Sequence, residues 1–201
     1  MKRTVAGMRT GARMRTGVAR CALALAGLLA VVPMAETAGA EPTPDDIDRA
    51  RRLFQRGLEY EQAENWGKAL DLFREVGQVK LTPQVRYHIA LCEENLGKLV
   101  AALGGYKLAL AQSDMVGPGF KKEVEGRVEQ LMSTIPKLTI KRGKGAEGAT
   151  ISLDGTELGA RKIGSEIPVD PGPHTVTATA PSYEDFMETA SVEEKKTKTV
   201  T

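Results

Sequence analysis

The spacing of apolar positions changes once along the chain, near Pro136. From Ile47 to about Thr134, apolar and small residues recur every three or four positions, which is the spacing of one face of an α-helix. Beyond Pro136, apolar and polar residues alternate, which is the period of a half-buried β-strand. The pattern therefore predicts an α+β protein in two domains, a helical domain over 46–134 and a β-domain over 136–201.

The helical domain is predicted to contain five helices, and the first four repeat. The helices are expected over residues 46–63, 66–79, 83–96, 99–112 and 118–133. Small and aromatic residues recur 33 positions apart: Gly57, Ala69, Phe73 and Val76 are matched by Ala90, Ala102, Tyr106 and Ala109. This pattern resembles the tetratricopeptide repeat, whose unit has about 34 residues. The resemblance implies a solenoid of two repeats, although Leu99 stands where the first unit has Trp66. A generic pair of helical hairpins is the alternative.

The fifth helix is predicted to cap the solenoid. Phe120, Val124, Val128 and Leu131 form one apolar stripe, and charged residues occupy most of the remaining surface. Each repeat buries its apolar face only against its neighbours, so a terminal helix with a charged outer side ends the stack without an exposed apolar edge.

The β-domain is predicted to be a small antiparallel sandwich of six or seven strands. The strands are expected over residues 138–140, 149–153, 156–158, 167–169, 174–180, 183–192 and 197–201. Asp154-Gly155 fits a type I′ hairpin turn, whose two central residues need positive φ. Pro168 cannot donate a ladder hydrogen bond, so the fourth strand is expected at a sheet edge.

Three segments of the β-domain resemble the PEGA domain of bacterial surface and periplasmic proteins. They are Ile151–Gly155, Asp170–Val176 and Ala180–Glu184. The sequence has Ser182 where that family expects glycine, and only Pro171-Gly172 of its Pro-Glu-Gly core. A repeat domain followed by this module is similar to exported proteins common in myxobacteria. The resemblance implies a binding or surface-associated module.

The N-terminus is predicted to be a secretory signal peptide over 1–40. A basic head precedes an uncharged run from Cys21 to Val32, and Ala38-Gly39-Ala40 gives a cleavage site after Ala40. The run is too short to span a bilayer as a helix. An uncleaved anchor is the alternative, and Met14 is an alternative start. Residues 41–45 are expected to form a linker, and no integral membrane span is expected after cleavage.

Cleavage also reverses the sign of the net charge. The whole chain has 28 basic and 26 acidic residues, and residues 1–40 carry six of the basic and one of the acidic ones. The remainder has a formal net charge of about −3, so the basic surplus typical of nucleic-acid binding is missing.

The chain offers few residues for catalysis. His88 and His174 are the two histidines, and Cys92 is the only cysteine after cleavage. His88 and Cys92 lie one helical turn apart, but two ligands are too few for a zinc site, so no metal or cofactor is expected. Cys92 is expected to be a buried, inert thiol. His174 is expected to be a solvated edge residue, and the acid pairs Glu93-Glu94 and Glu193-Glu194 are expected in solvent.

A glycine-containing loop over 143–148 is expected to be a flexible hairpin connection. A phosphate-binding loop would be followed by a helix, whereas a strand follows here. No enzymatic activity is therefore predicted.

The first helix of each repeat is expected to line a binding groove. In tetratricopeptide geometry the groove residues would be Arg51, Phe54, Leu58, Glu61, Gln62, Gln84, Tyr87, Leu91, Glu94 and Asn95. Aromatic rings beside amide and charged groups suit an extended protein segment. For Phe54 and Leu91, a place in the core is an equal alternative.

The sequence therefore predicts an exported, non-enzymatic adaptor that binds a protein or peptide partner at the cell envelope. A structural envelope protein, or a cell-wall or carbohydrate-associated protein acting through the β-domain, is the alternative. Tyr183 and Phe186 are the aromatic residues available for a sugar contact in that domain.

Overall fold

The computed structural model describes residues 41–181 and 183–201, which form one compact unit. The predicted signal peptide lies outside the described residues. The helices are α1 (Pro44–Gln62), α2 (Trp66–Val79), α3 (Pro83–Asn95), α4 (Leu99–Ala111), a short 3-10 helix (Ser113–Met115) and α5 (Pro118–Thr134). All five predicted helices are confirmed, with ends within two residues of those expected. No helix in the described part is long and apolar enough to cross a membrane.

The start of α1 is fixed by a capping box. The Thr43 hydroxyl accepts a hydrogen bond from the Asp46 amide, and the Asp46 carboxylate accepts one from the Thr43 amide. Pro44 occupies the first helical position, where its missing N–H costs nothing. The helix therefore begins inside the segment predicted to be a linker.

The turns of the two hairpins have the same backbone geometry 33 residues apart. The amide of Asn65 donates to the Tyr60 carbonyl, as the amide of Lys98 does to the Glu93 carbonyl. Each turn also needs one left-handed residue, Glu64 at φ 54° and Gly97 at φ 74°. The sequence repeat is thus a repeat of backbone structure.

Small residues allow the paired helices to approach closely. A Cβ on Gly57 would come within 2.7 Å of the Phe73 ring, and one on Gly105 within 2.9 Å of the Ala90 Cβ. The repeat positions predicted from the sequence lie in the core: Ala69, Phe73, Ala90, Ala102, Tyr106 and Ala109 are all fully buried.

The β-domain has seven strands in two sheets. They are β1 (Lys137–Ile140), β2 (Thr150–Leu153), β3 (Thr156–Glu157), β4 (Glu166–Pro168), β5 (Gly172–Thr179), β6 (Phe186–Val192) and β7 (Thr197–Val200). One sheet has the order β4-β1-β7 and the other β3-β2-β5-β6. Asp154 and Gly155 both have positive φ, as predicted for their hairpin turn, and Pro168 is in an edge strand.

The prediction of a wholly antiparallel domain was wrong in one respect. β1 and β7 pair in parallel, from Lys137 opposite Thr197 to Ile140 opposite Val200. They are the first and last strands of the domain, so the five strands between them provide the long connection that parallel pairing needs. Strand spacing in the sequence carries no information about this pairing.

The helical and β parts have separate apolar clusters joined by a few polar contacts. Ile135 packs with the helices, whereas Leu138 packs within the β-domain. The Asp170 carboxylate accepts a 2.8 Å hydrogen bond from the Val100 amide in the first turn of α4. Lys98, the residue that precedes α4, makes no side-chain cap, so a β-domain side chain replaces a local one.

Candidate functional site

Helices α1, α3 and α5 meet through their side chains on one side of the helical domain, here called the α1/α3/α5 face. Phe54 of α1 lies edge-on to His88 of α3, with ring centroids 5.2 Å apart. The same imidazole stacks on Phe73 at 5.0 Å, so it lies among three rings together with Tyr87. His88 is therefore a packing residue of the interface between the hairpins.

A polar contact closes the α1–α3 junction. The Glu61 carboxylate lies 2.8 Å from Nδ1 of His88, and both side chains are less than one-fifth exposed. The sequence pattern did not reveal Glu61 as the partner of His88, because the two residues are 27 positions apart. The contact between Glu61 and His88 thus joins α1 to α3.

The α3–α5 junction is built in the same way. The Tyr87 hydroxyl donates a 2.5 Å hydrogen bond to Glu123, and its ring packs against Tyr106 and Phe120. Burial, followed by the hydrogen bond to Glu123, raises the pKa of Tyr87 to about 12. The phenol therefore remains a hydrogen-bond donor even in solutions near pH 10, where an ordinary tyrosine loses its proton.

Glu94 completes this junction. Its carboxylate accepts a 2.7 Å hydrogen bond from the Tyr106 hydroxyl and lies 3.7 Å from the Arg127 guanidinium. Burial, followed by the hydrogen bond to Glu94, raises the pKa of Tyr106. One acid of α3 thus joins α4 and α5.

The ten residues predicted to line a groove fall into two groups. Arg51, Gln62, Gln84 and Asn95 are exposed. The other six are at least half-buried: Phe54, Leu58, Glu61, Tyr87, Leu91 and Glu94. Phe54, Glu61, Tyr87 and Glu94 contact neighbouring helices, so the accessible part of this face is mainly amide and charged.

Two expectations for α3 have different outcomes. Cys92 is fully buried, and burial, with Glu61 and Glu93 nearby, raises its thiol pKa to about 12, which confirms an inert thiol. The expectation that Glu93 and Glu94 lie in solvent was wrong. Glu93 is only 8% exposed and pairs with Arg74 of α2 at 2.8 Å. Helix packing brings the arginine to an acid 19 positions away.

His174 is not a solvated edge residue as expected. Its Nδ1 lies 2.7 Å from the Asp154 carboxylate and its Nε2 lies 2.6 Å from the Asp170 carbonyl, and its side chain is 11% exposed. Burial alone would lower its pKa, but the hydrogen bonds to Asp170 and Asp154 outweigh burial, and the net pKa is raised. The ring fastens the hairpin turn at Asp154 to the turn that precedes β5.

The glycine-containing loop lies beside an apolar cavity of about 200 Å³ at one end of the β-domain. The apolar lining comes from both sheets: Ile140, Ile151, Val176, Ala178, Phe186 and Val200. Arg142 of the loop donates to the carbonyls of Ala146 and Ala149. A strand follows the loop, as expected, and the cavity was not predicted because its walls are distant in sequence.

Residues 145–201 match the family model of the PEGA domain. A PEGA domain is therefore found over residues 145–201 of the β-domain. No curated protein and no solved structure matches the chain. The resemblance noted at Ile151–Gly155 and Asp170–Val176 is thus confirmed, and it covers the strands from β2 to β7.

No metal-binding group is found in the part of the chain that the structure describes. Within residues 41–181 and 183–201, no three His, Cys, Asp or Glu side chains lie close enough to hold an ion. His88 instead pairs with Glu61, and Cys92 is a protonated core thiol.

Proposed function

We propose that the protein is an exported, non-enzymatic adaptor whose tetratricopeptide-like helical domain binds an extended segment of another protein. The repeat supports the proposal because its turns, its small residues and its buried aromatic residues recur at one 33-residue offset. Stacked hairpins of this kind hold one helix of each pair on a common surface. The PEGA domain is the second module of the adaptor and associates it with the cell envelope.

The accessible side chains of the α1/α3/α5 face would make the contact. Gln62 of α1, and Gln84 and Asn95 of α3, expose amides that can both donate to and accept from an extended backbone. Arg51 adds a positive charge. Its salt-bridge partner, Asp48, is exposed to solvent. Phe54 and Tyr87 support this surface from below, because each is packed against the neighbouring helices.

Export is proposed from residues 1–40, with cleavage after Ala40. PEGA domains are typical of periplasmic and extracellular proteins, which supports this part of the proposal. The measurement is the N-terminal mass of the protein recovered from the envelope of the producing cell. A mature chain that begins at Glu41 is expected, and an intact N-terminus in the membrane fraction would contradict it.

Site-specific photo-crosslinking tests the binding face. A photoreactive amino acid is placed at Gln62 or Gln84 of the α1/α3/α5 face, or at Glu75 of α2 or Lys107 of α4 as controls. All four residues are exposed, so none of the replacements disturbs the core. A protein adduct is expected at the first two positions only. Equal adducts at all four positions, or adducts confined to the controls, would refute this face as the binding surface.

The affinity of the crosslinked partner then tests the role of the amides. Each lost hydrogen bond costs about 1 kcal/mol, so the double variant Gln62→Ala/Gln84→Ala is expected to lose about 2 kcal/mol and to bind about thirtyfold more weakly. The matched control is Glu75→Ala/Lys107→Ala, which should bind as the parent does. Unchanged melting temperatures would show that both variants are folded.

A further inference from the structure

The PEGA domain has four sheet edges, and three of them are poorly suited to pairing with another chain. β3 has two residues, β4 contains Pro168, and β7 has four residues with Lys198 among them. Short strands, prolines and lysines are the devices by which edge strands avoid unwanted pairing. β6 has none of these features over its seven residues, Phe186–Val192.

The outer edge of β6 has no backbone partner in the described part of the chain. Its inner edge pairs with β5 along its whole length, from Phe186 opposite Ala178 to Val192 opposite Gly172. In such a ladder alternate residues direct their N–H and C=O groups away from the partner strand. Those groups of β6 are therefore free to bond to a further strand, and the adjacent Met187 is 72% exposed.

A specificity pocket adjoins the start of this edge. Phe186 lines the apolar cavity of about 200 Å³ and a second cavity of about 270 Å³ beside it. Phe186 itself remains 43% exposed. A strand added beside β6 would direct alternate side chains to the face of Phe186, where one apolar side chain could enter the cavity. Main-chain pairing with pockets for alternate side chains is the usual way in which a sheet edge recognises a peptide.

Charge argues against a second copy of this chain as the partner. Antiparallel pairing of two β6 strands about Thr189 would place Glu193 opposite Asp185 and Glu194 opposite Glu184. Like charges that lie directly opposite each other destabilise a strand pair. None of these four acids has an ion-pair partner within residues 41–181 and 183–201.

The same acids favour a segment with basic ends. The nearest lysines lie just beyond the strand, Lys195 and Lys196 in the β6–β7 turn and Lys144 beside the second cavity. The acids Glu184, Asp185, Glu188, Glu193 and Glu194 outnumber these three lysines, so this edge carries a net negative charge.

We propose that the outer edge of β6 is a strand-addition site for an extended segment of another protein, with alternating apolar residues in its centre and basic residues at its ends. The central backbone pairs with β6, one apolar side chain enters the cavity beside Phe186, and the basic ends meet Asp185 and Glu193. This site is independent of the α1/α3/α5 face. The test of this site gives its result whether or not that face binds a partner.

The probe is the peptide Lys-Val-Thr-Val-Thr-Val-Thr-Val-Lys with blocked ends, added to the full chain. When its terminal lysines lie opposite Glu193 and Asp185, its valines share the face of Phe186. Fluorescence anisotropy measures its binding, and hydrogen exchange locates it. Amides of 186–192 are expected to exchange about tenfold more slowly when the peptide is bound, with no change in α1 to α5. A peptide with proline in place of its three threonines should not bind, because proline has no backbone N–H to donate. A peptide with glutamates at its ends should bind about tenfold more weakly.

Two double variants with the same change in net charge test the contacts between the basic ends of the peptide and the acids that flank β6. Asp185→Lys/Glu193→Lys is expected to weaken binding about tenfold, because it places lysines against the basic ends. The matched control Glu59→Lys/Glu157→Lys changes exposed acids elsewhere and should bind as the parent does. Exchange on the parent protein needs no substitution, so the location of the probe is known even if a variant does not fold.

Three results would overturn the proposal. They are no slowing at 186–192 with saturating peptide, slowing confined to the helices, and equal binding by both charge variants. A second copy as the partner is tested with Thr189→Cys in a Cys21→Ser background, because Thr189 is exposed and the remaining native cysteine, Cys92, is buried and unreactive. Rapid disulfide-linked dimers without peptide would assign the edge to self-association instead.

Discussion

At the scale of single residues, several polar side chains have roles that their sequence neighbours do not reveal. Glu61, His88, Glu93 and Glu94 are ordinary helix-surface residues by spacing, yet each contacts another helix. His174 likewise joins two turns. A long or aromatic side chain can bury its apolar atoms while its polar group keeps a hydrogen-bond partner. The spacing of such residues along a helix therefore does not show whether they lie in the core or in solvent.

The His174 contacts predict a stability that falls as pH rises. Both ring nitrogens face acceptors, Asp154 and the Asp170 carbonyl, so the doubly protonated ring satisfies both. The pKa of His174 is raised in the folded state above its unfolded value of about 6.5. Its contribution is therefore complete below about pH 6.5 and is lost as pH rises through the raised folded pKa.

Urea unfolding at a series of pH values above 6 checks this pH dependence. The variant His174→Gln should lose the part of the slope that comes from this ring. Parallel stability curves for parent and variant would show that the ring contributes no proton-linked stability.

At the scale of elements, the hairpin turns show one backbone requirement met by two different residues. Glu64 and Gly97 occupy equivalent left-handed positions, which glycine adopts without strain and glutamate does not. Nothing lies within 4 Å of a Cβ added to Gly97, so backbone conformation alone determines the cost of a side chain there. The sequence repeat located both turns. It did not show that their backbones have the same conformation, because one turn has Glu64 where the other has Gly97.

Adding a side chain at one turn and removing one at the other are expected to change the free energy of unfolding in opposite directions. Gly97→Ala should lower the free energy of unfolding by about 1 kcal/mol, because a left-handed conformation is costly for a residue with a Cβ. Glu64→Gly should raise it by less, because glycine also makes the unfolded chain more flexible. Thermal and urea unfolding of the two variants measure both effects. A stabilising Gly97→Ala would show that the turn changes its conformation.

At the scale of the whole molecule, the two apolar clusters set the expected units of unfolding. The helical clusters and the β cluster share no buried residue, and hydrogen bonds link the two parts, from the Val100 amide to Asp170 and from the Lys195 amide to the Thr134 carbonyl. Cooperative units of unfolding follow contiguous packing more closely than isolated polar contacts.

A core substitution in one part should therefore leave the other part folded. Ala69→Leu adds three heavy atoms where Ala69 is fully buried, and overpacking of this kind costs about 1–3 kcal/mol. Ala101→Leu, at an exposed position of α4, is the matched control. Hydrogen exchange should become faster in α1 to α4 and remain unchanged in β5 and β6. Equal acceleration in both parts would show that the described chain unfolds as one unit.

The sequence by itself determined the five helices, all seven strands, the I′ turn at Asp154 and the PEGA resemblance. These features depend on local periods, on proline and glycine, and on short motifs, all of which lie within a few residues of one another. The repeated small and aromatic positions also predicted the buried core of the hairpins, because the close approach of paired helices requires small residues.

Only the tertiary structure decided the parallel pairing of β1 with β7, the partners of His88 and His174, and the cavity beside Phe186. Each depends on groups that are distant in sequence and are brought together by packing. It also decided that Phe54 and Tyr87 support the α1/α3/α5 face from within, since a ring at a helix interface and a ring at a binding surface have the same spacing in sequence. The free edge of β6 likewise follows from strand order, which local patterns leave open.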